Sequence, residues 1–250
     1  MRMDLDAALN GIISAPPVLV PVIALMTVWM WNAAEDGSPA SSCVDAGLIL
    51  IDALAQYGIG AHLEPVQIIL CDAADRPITR YGDNPRWNAD GTFNGHAVIT
   101  LPSIGRFADP TIQQFKEIPA LDLAQRPLIA PMPTSVGLGV RPFPVRRVGH
   151  IVIYRGFRGD QQHLWQSPVI QATRPQYHAA AANLAANVFD ILRLDQFAPK
   201  VRQAPYPRLH QLLDELAGAH SRVQDGKYGF QHPATGHLIQ LTDIPERPSN

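Results

Sequence analysis

Cys43, His96 and Asp109 have the residue types, and stand in the order, that thiol chemistry needs. Residues 41–57 read as a helix because Val44, Gly47, Leu48, Ile51, Leu54 and Ala55 recur at spacings of three and four. Ser42 fits an N-cap, Asp45 lies three residues on as in a capping box, and Gly58 supplies a stop. Cys43 therefore falls in the first helical turn, where unpaired N–H groups and the helix dipole favour a thiolate. A histidine can take the thiol proton and later return it to a leaving group. An acid on the other ring nitrogen fixes the tautomer and steadies the imidazolium.

The elements expected around these residues allow them to meet. His96 opens an apolar run over 96–101 and Asp109 closes another over 106–109, with Pro102-Ser103-Ile104-Gly105 between them. A short antiparallel hairpin folds that 13-residue separation back on itself. Cys43 lies 53 residues before His96, so only packing of helix on sheet can bring it close.

Four stretches carry a family resemblance: Ser42-Cys43-Val44-Asp45-Ala46-Gly47, Tyr57-Gly58-Ile59-Gly60-Ala61, Asn94-Gly95-His96-Ala97-Val98 and Phe107-Ala108-Asp109-Pro110-Thr111. Together they resemble the transglutaminase-like group of papain-like cysteine enzymes over residues 41–114, under a third of the chain. The resemblance implies an α+β fold, with a papain-like or transglutaminase-like core in which a catalytic helix packs on an antiparallel sheet, plus C-terminal helices. It also implies thiol acyl-enzyme chemistry by Cys43, His96 and Asp109 on an amide or thioester, ending in hydrolysis, deamidation, cross-linking or acyl transfer. Arylamine N-acetyltransferases share the order, but the Arg-Gly-Gly expected before their cysteine is absent here. The aromatic residue usual after Gly-His-Ala is Val98 in this chain. An oxyanion hole needs the Cys43 N–H and a second donor, for which Trp31, Asn32 and Trp87 are the candidates.

Around this centre the chain reads as mixed α/β. Residues 21–34 form an almost wholly apolar helix of the buried kind. A strand over 65–71 follows, then a long polar loop over 72–94 with room for a short hairpin. The six prolines between 118 and 144 suggest an irregular surface connection. Strands are expected over 148–154 and 169–172, and helices over 176–194, opened by Pro175, and 208–223. This divides the chain into a catalytic core (1–117), a Pro-rich connection (118–144) and remaining strands and helices (145–250) packed on the same domain.

Composition narrows the function. Of 250 residues 46% are hydrophobic and 17% charged, enough for a core, and a net charge of -2 gives no general attraction to nucleic acid. Arg141, Arg146 and Arg147 form the one local basic cluster and read as a solvated edge. Two cysteines are too few for a disulfide framework or a cysteine-rich zinc module, and Cys71, ending an apolar strand, reads as structural. His232 and His237 lack the company of a metal site, so neither metal nor cofactor is expected. The longest apolar run, residues 18–31, is shorter than the roughly 20 residues of a membrane span, and the acidic start is unlike a signal peptide. The expectation is a cytoplasmic enzyme acting on a peptide or protein rather than a small molecule. Its C-terminal helices are available to cap the site, bind a partner or form a homodimer. The alternative is a non-catalytic binding or scaffold protein on the same fold, with a vestigial triad.

Overall fold

The computed structural model describes residues 15–34, 42–115, 128–134, 137–147, 149–158, 161–232 and 235–247. Helix α1 (Pro16–Ala34) starts five residues before the expected 21–34 span. Pro16 and Pro17 suit a first turn, where backbone N–H groups have no helical partner, and Pro21, inside the helix, leaves the Pro17 carbonyl without its helical donor, a place taken by the Tyr206 hydroxyl. Helix α2 (Cys43–Ala55) has Cys43 as its first residue. Ser42 makes no side-chain cap, because its backbone turns with ψ near 8° instead of adopting the extended cap conformation.

A seven-stranded, wholly antiparallel sheet follows. The eleven-residue strand β1 (His62–Asp72) pairs at its C-terminal half with β2 (Pro77–Tyr81), which lies within the loop expected over 72–94. Within that loop β3 (Arg86–Trp87) and β4 (Phe93–Asn94) make the short hairpin. Strands β5 (His96–Leu101) and β6 (Arg106–Asp109) form the expected pair, joined by a 3-10 turn over Pro102–Ile104. Strands β7 (Leu128–Pro131), β8 (Phe143–Arg147) and β9 (His150–Gly156) complete the order β7-β6-β5-β1-β9-β8, with β2 beside β1. The stretch 118–144 is therefore not simply a surface connection. Its described part contributes β7, with Leu128 buried against β6, because a proline at the exposed end of an edge strand removes no needed ladder bond.

Alternation along the strands splits the sheet into two faces. Leu63, Ala97, Ile99, Leu101 and Ala108 point to the helices, and Val66, Ile68, Val98, Phe107, Val152 and Tyr154 form a second core on the other side. The Tyr154 hydroxyl on β9 reaches the Asp109 carboxylate on β6 at 2.9 Å, although β1 and β5 stand between them in the sheet. With strands about 4.8 Å apart, a flat sheet would not allow that contact, so the sheet curls strongly around this core.

The rest of the chain covers the helix face. Helix α3 (Pro168–Leu192) replaces both the strand expected over 169–172 and the later helix start: Ser167 Oγ accepts from Ile170 N at 3.4 Å, and Pro168 fits the first turn. Buried Ile170 is β-branched, and tertiary packing overrides its strand preference. After α4 (Ala198–Val201) comes α5 (Pro207–Glu215), which ends short of the helix expected over 208–223, and residues 220–223 fall instead in β10 (His220–Gln224), paired with β11 (Lys227–Gln231) and then β12 (Leu238–Ile239).

Helix α2 is clamped between α3 and the sheet. Arg174 Nη2 of α3 pairs with Asp52 at 2.9 Å, and the Tyr57 hydroxyl just beyond α2 donates to the Ala185 carbonyl. On the sheet side the approach is so close that a Cβ on Gly47 would lie 2.4 Å from Leu63 Cδ1 and 3.6 Å from Ile99 Cγ2. Gly47 is one turn beyond Cys43, so this absent side chain fixes how near the sulfur comes to the sheet. Replacing Gly47 with valine should overpack the contact at a cost of about 1–3 kcal/mol. The expected outcome is a thermal midpoint lower by several degrees, read by calorimetry, and a slower reaction of Cys43 with iodoacetamide.

Candidate active site

Cys43 opens α2, and the first helical hydrogen bond is Ala46 N to Ser42 O at 2.8 Å. The N–H groups of Cys43, Val44 and Asp45 therefore have no acceptor within the helix. Asp45 is exposed and accepts from the Tyr177 hydroxyl of α3, which holds its charge on the α3 side. Cys43 is only 3% exposed and packs in the helix-side core.

His96 begins β5 opposite Val66, where the edge of β1 passes from β5 to β2. Gly82 makes that handover possible: its φ is +77°, and a Cβ there would sit 2.5 Å from the Val66 carbonyl oxygen. Trp87 and Phe93 then pin the following loop against Trp165, with ring centroids 5.3 and 5.5 Å apart along the row.

The His96 ring is completely buried, and each of its polar positions has a partner. Nε2 donates to Asp109 Oδ2 at 2.8 Å. The Gln114 side-chain amide meets Nδ1 at 2.7 Å. Cys43 also acts on the ring, its charge and hydrogen bonding helping to raise the His96 pKa. With Nε2 taken by Asp109, Gln114 and the sulfur share the Nδ1 side of the ring. Phe115 packs against the ring at a centroid distance of 5.1 Å and carries Tyr81 behind it at 4.5 Å.

Asp109 is equally buried and has three donors. Besides His96, the Tyr154 hydroxyl donates to Oδ2, and Thr111 N donates to Oδ1 at 3.1 Å in an Asx turn encoded by Asp109-Pro110-Thr111. Burial, then the charge of Asp109 and its hydrogen bond, push the Tyr154 phenol well above its usual range and keep it a donor. Arg147 shares its side of β8 with Phe143 and Val145, which pack on the inner core. Burial lowers the Arg147 pKa, and the charges of Tyr154 and Asp109 raise it again. Arg147 is thus not a solvated edge: it faces the acid from inside the curled sheet, whereas Arg146 is exposed and pairs with Asp75 at 3.5 Å.

Burial by itself would lower the His96 pKa. The charge and hydrogen bond of Asp109, with smaller contributions from Cys43, outweigh it and carry the value up to about 10. The other thiol lacks such company: Cys71 is buried, and burial with the nearby charges of Asp75 and Asp72 raises its pKa.

The structure brings Cys43, His96 and Asp109 together, and of the three oxyanion candidates it commits Trp87 to another partner. Trp87 Nε1 is committed to the Leu164 carbonyl at 2.7 Å, and Trp31 packs against the helix-side core. Asn32 lies in the last turn of α1, and its side chain is outside the described residues. The additional polar residues at the centre are Gln114, Tyr154 and Arg147. Only Gln114 lay near a motif, five residues beyond Asp109 and three beyond Thr111. Two surface cavities, of about 400 and 160 Å³, lie between α3 and the C-terminal elements, away from Cys43. Among the described residues, no three His, Cys, Asp or Glu side chains are grouped to hold a metal, and no helix is long and apolar enough to cross a membrane.

Comparison of the chain with family models, with curated proteins and with solved structures gives no match.

The folded-state pKa of His96, about 10 against an ordinary 6.5, makes the imidazolium–carboxylate pair stabilising in full below about pH 6.5 and progressively less so as pH rises through about 10. Asp109→Asn should therefore destabilise the protein by about 3–5 kcal/mol near neutral pH. Urea unfolding at a series of pH values should show the gap from wild type narrowing between about pH 6.5 and 10.

Proposed function

We propose that the chain is a cysteine-dependent hydrolase or acyltransferase of amide or thioester substrates, working through a Cys43 acyl-enzyme. What carries the proposal is the convergence on one buried imidazole of a cysteine at a helix N-terminus and a carboxylate held by three donors. The antiparallel sheet with a cysteine-bearing helix against one face supports a papain-like or transglutaminase-like core. The motifs around Cys43, His96 and Asp109 support the same family.

In the proposed reaction His96 Nδ1 takes the Cys43 proton while Nε2 stays bonded to Asp109, which holds the tautomer and balances the imidazolium. The thiolate attacks the carbonyl carbon, a C–S bond forms, and the carbonyl electron pair moves onto oxygen. The N–H groups of the first α2 turn, which have no acceptor within the helix, would be donors to that oxyanion. As the tetrahedral species collapses, the proton on Nδ1 passes to the departing nitrogen or sulfur and leaves the acyl group on Cys43. Water or an amine, deprotonated by the neutral ring, then releases it. A peptide or protein is the favoured acyl donor, and two free cysteines suit a cytoplasmic protein.

A second reading, a scaffold whose triad no longer acts, draws support from the burial of Cys43 and His96. Limiting iodoacetamide with peptide mapping separates the two. Activated-thiol chemistry predicts that Cys43 is alkylated at least about tenfold faster than Cys71, and that His96→Ala removes the difference. Equal rates for the two cysteines, unchanged by His96→Ala, would leave only the scaffold.

A further inference from the structure

Asp109 Oδ2 accepts two hydrogen bonds, and the acyl-transfer scheme uses one of them. His96 Nε2 meets that oxygen at 2.8 Å and the Tyr154 hydroxyl meets it at 2.9 Å, whereas Oδ1 takes the Thr111 N–H. Tyr154 is held there by its surroundings. It stands on a strand paired on both sides, opposite Ile68 and Phe143, its ring is wholly buried, and its edge meets Phe107 at a centroid distance of 5.0 Å. A buried phenol needs an acceptor, and the fold supplies the very oxygen that orients the imidazole.

Resting on the acyl-transfer reading above, we propose that Tyr154 is a positioning residue that shares Asp109 Oδ2 with His96 and so limits how tightly the carboxylate holds the imidazolium, leaving the ring able to give its Nδ1 proton to the leaving group. Two donors on one oxygen divide its negative charge, and the Tyr154 O–H points the positive end of its dipole at the site. Both effects oppose the pull of Asp109 on the charged ring. The imidazolium is the resting form near neutral pH, consistent with a His96 pKa of about 10. Tyr154 therefore assists proton release, as the tetrahedral species collapses, because a ring that held its proton more tightly would be a weaker general acid.

The charged and titratable groups around the ring sort by sign. Asp109 from β6 and Cys43 from α2 favour the imidazolium. Tyr154 from β9 and Arg147 from β8 act on Asp109 and work against it. Glu64 of β1 alternates onto the same face as Val66, and its carboxylate accepts from the Leu138 N–H at 3.2 Å. His150 of β9 stands opposite Arg147 in the ladder. Within this set Tyr154 is the group that shares the oxygen on which His96 depends.

The test needs no substrate. Cys43 is alkylated with iodoacetate and with iodoacetamide from neutral to strongly alkaline pH, and peptide mapping counts it apart from Cys71. The anionic reagent is favoured while an imidazolium stands beside the sulfur. The ratio of the two rates therefore falls as His96 loses its proton, with a midpoint of about 10 in wild type. Tyr154 stays a phenol meanwhile, since burial and Asp109 hold its pKa well above the usual range. Tyr154→Phe keeps the ring and removes the donor, and should raise the midpoint by about half to one pH unit. An ortho-fluorinated tyrosine at position 154, a stronger donor of nearly the same shape, should lower it. His96→Gln should abolish the step in all three proteins, and thermal melts check folding. A His96-dependent step whose midpoint is unmoved or lowered in Tyr154→Phe overturns the role of Tyr154 and leaves the acyl-transfer reading standing. The absence of that step in wild type also overturns the proposal, and with Cys43 as slow as Cys71 it overturns the acyl-transfer reading as well. If Tyr154→Phe melts early, the fluorinated protein decides, an unchanged or raised midpoint counting against the proposal.

Discussion

The hydrogen bond between His96 Nε2 and Asp109 Oδ2, with both side chains wholly out of solvent, is the constraint on which the rest of the structure depends. A buried carboxylate is tolerable only if its charge is met by donors, and a buried imidazole only if both nitrogens are engaged. The fold meets the first demand with Thr111 N, the Tyr154 hydroxyl and the nearby Arg147, contributed by the turn after β6 and by two strands on the far side of β1. That demand is consistent with the sheet curling enough for β9 to reach β6. It meets the second with Asp109 on one nitrogen and, on the other, Gln114 and the α2 terminus bearing Cys43.

His96 also sits where the two cores meet. Cys43 belongs to the helix-side cluster, while Phe115 and Tyr154 belong to the cluster inside the curl. The close approach at Gly47 and the tie between Arg174 and Asp52 fix the helix against the sheet at the distance the thiol–imidazole contact needs. With Cys43 only 3% exposed, a carbonyl carbon reaches the sulfur only after neighbouring side chains part.

Much of this centre was legible in the sequence because its parts are local. The position of Cys43 at a helix start followed from apolar periodicity, and the pairing of His96 with Asp109 from a short turn between two apolar runs. What sequence could not give were the contacts that exist only because the sheet curls. Nothing in residues 148–154 distinguishes Tyr154 as facing an acid three strands away, and Arg147 looked like an exposed neighbour of Arg146. The indole of Trp87 is a related case: it is near in sequence to the chemistry, yet its N–H is satisfied by Leu164, far along the chain. Among the larger elements, Val169 and Ile170 suggested a strand until a serine cap and a proline at the first turn, together with packing on the α2 side, made them helix. The Pro-rich stretch concealed β7 because edge strands accept proline where central strands do not.

The central claim is that Cys43 and His96 share one proton under the control of Asp109. Thiolate absorbance near 240 nm, recorded against pH and corrected with Cys43→Ala, reports that proton directly. The account predicts a Cys43-dependent step whose midpoint moves when His96 is replaced by glutamine and moves again, by a different amount, when Asp109 is replaced by asparagine. A Cys43 step at the same pH in all three proteins would contradict it.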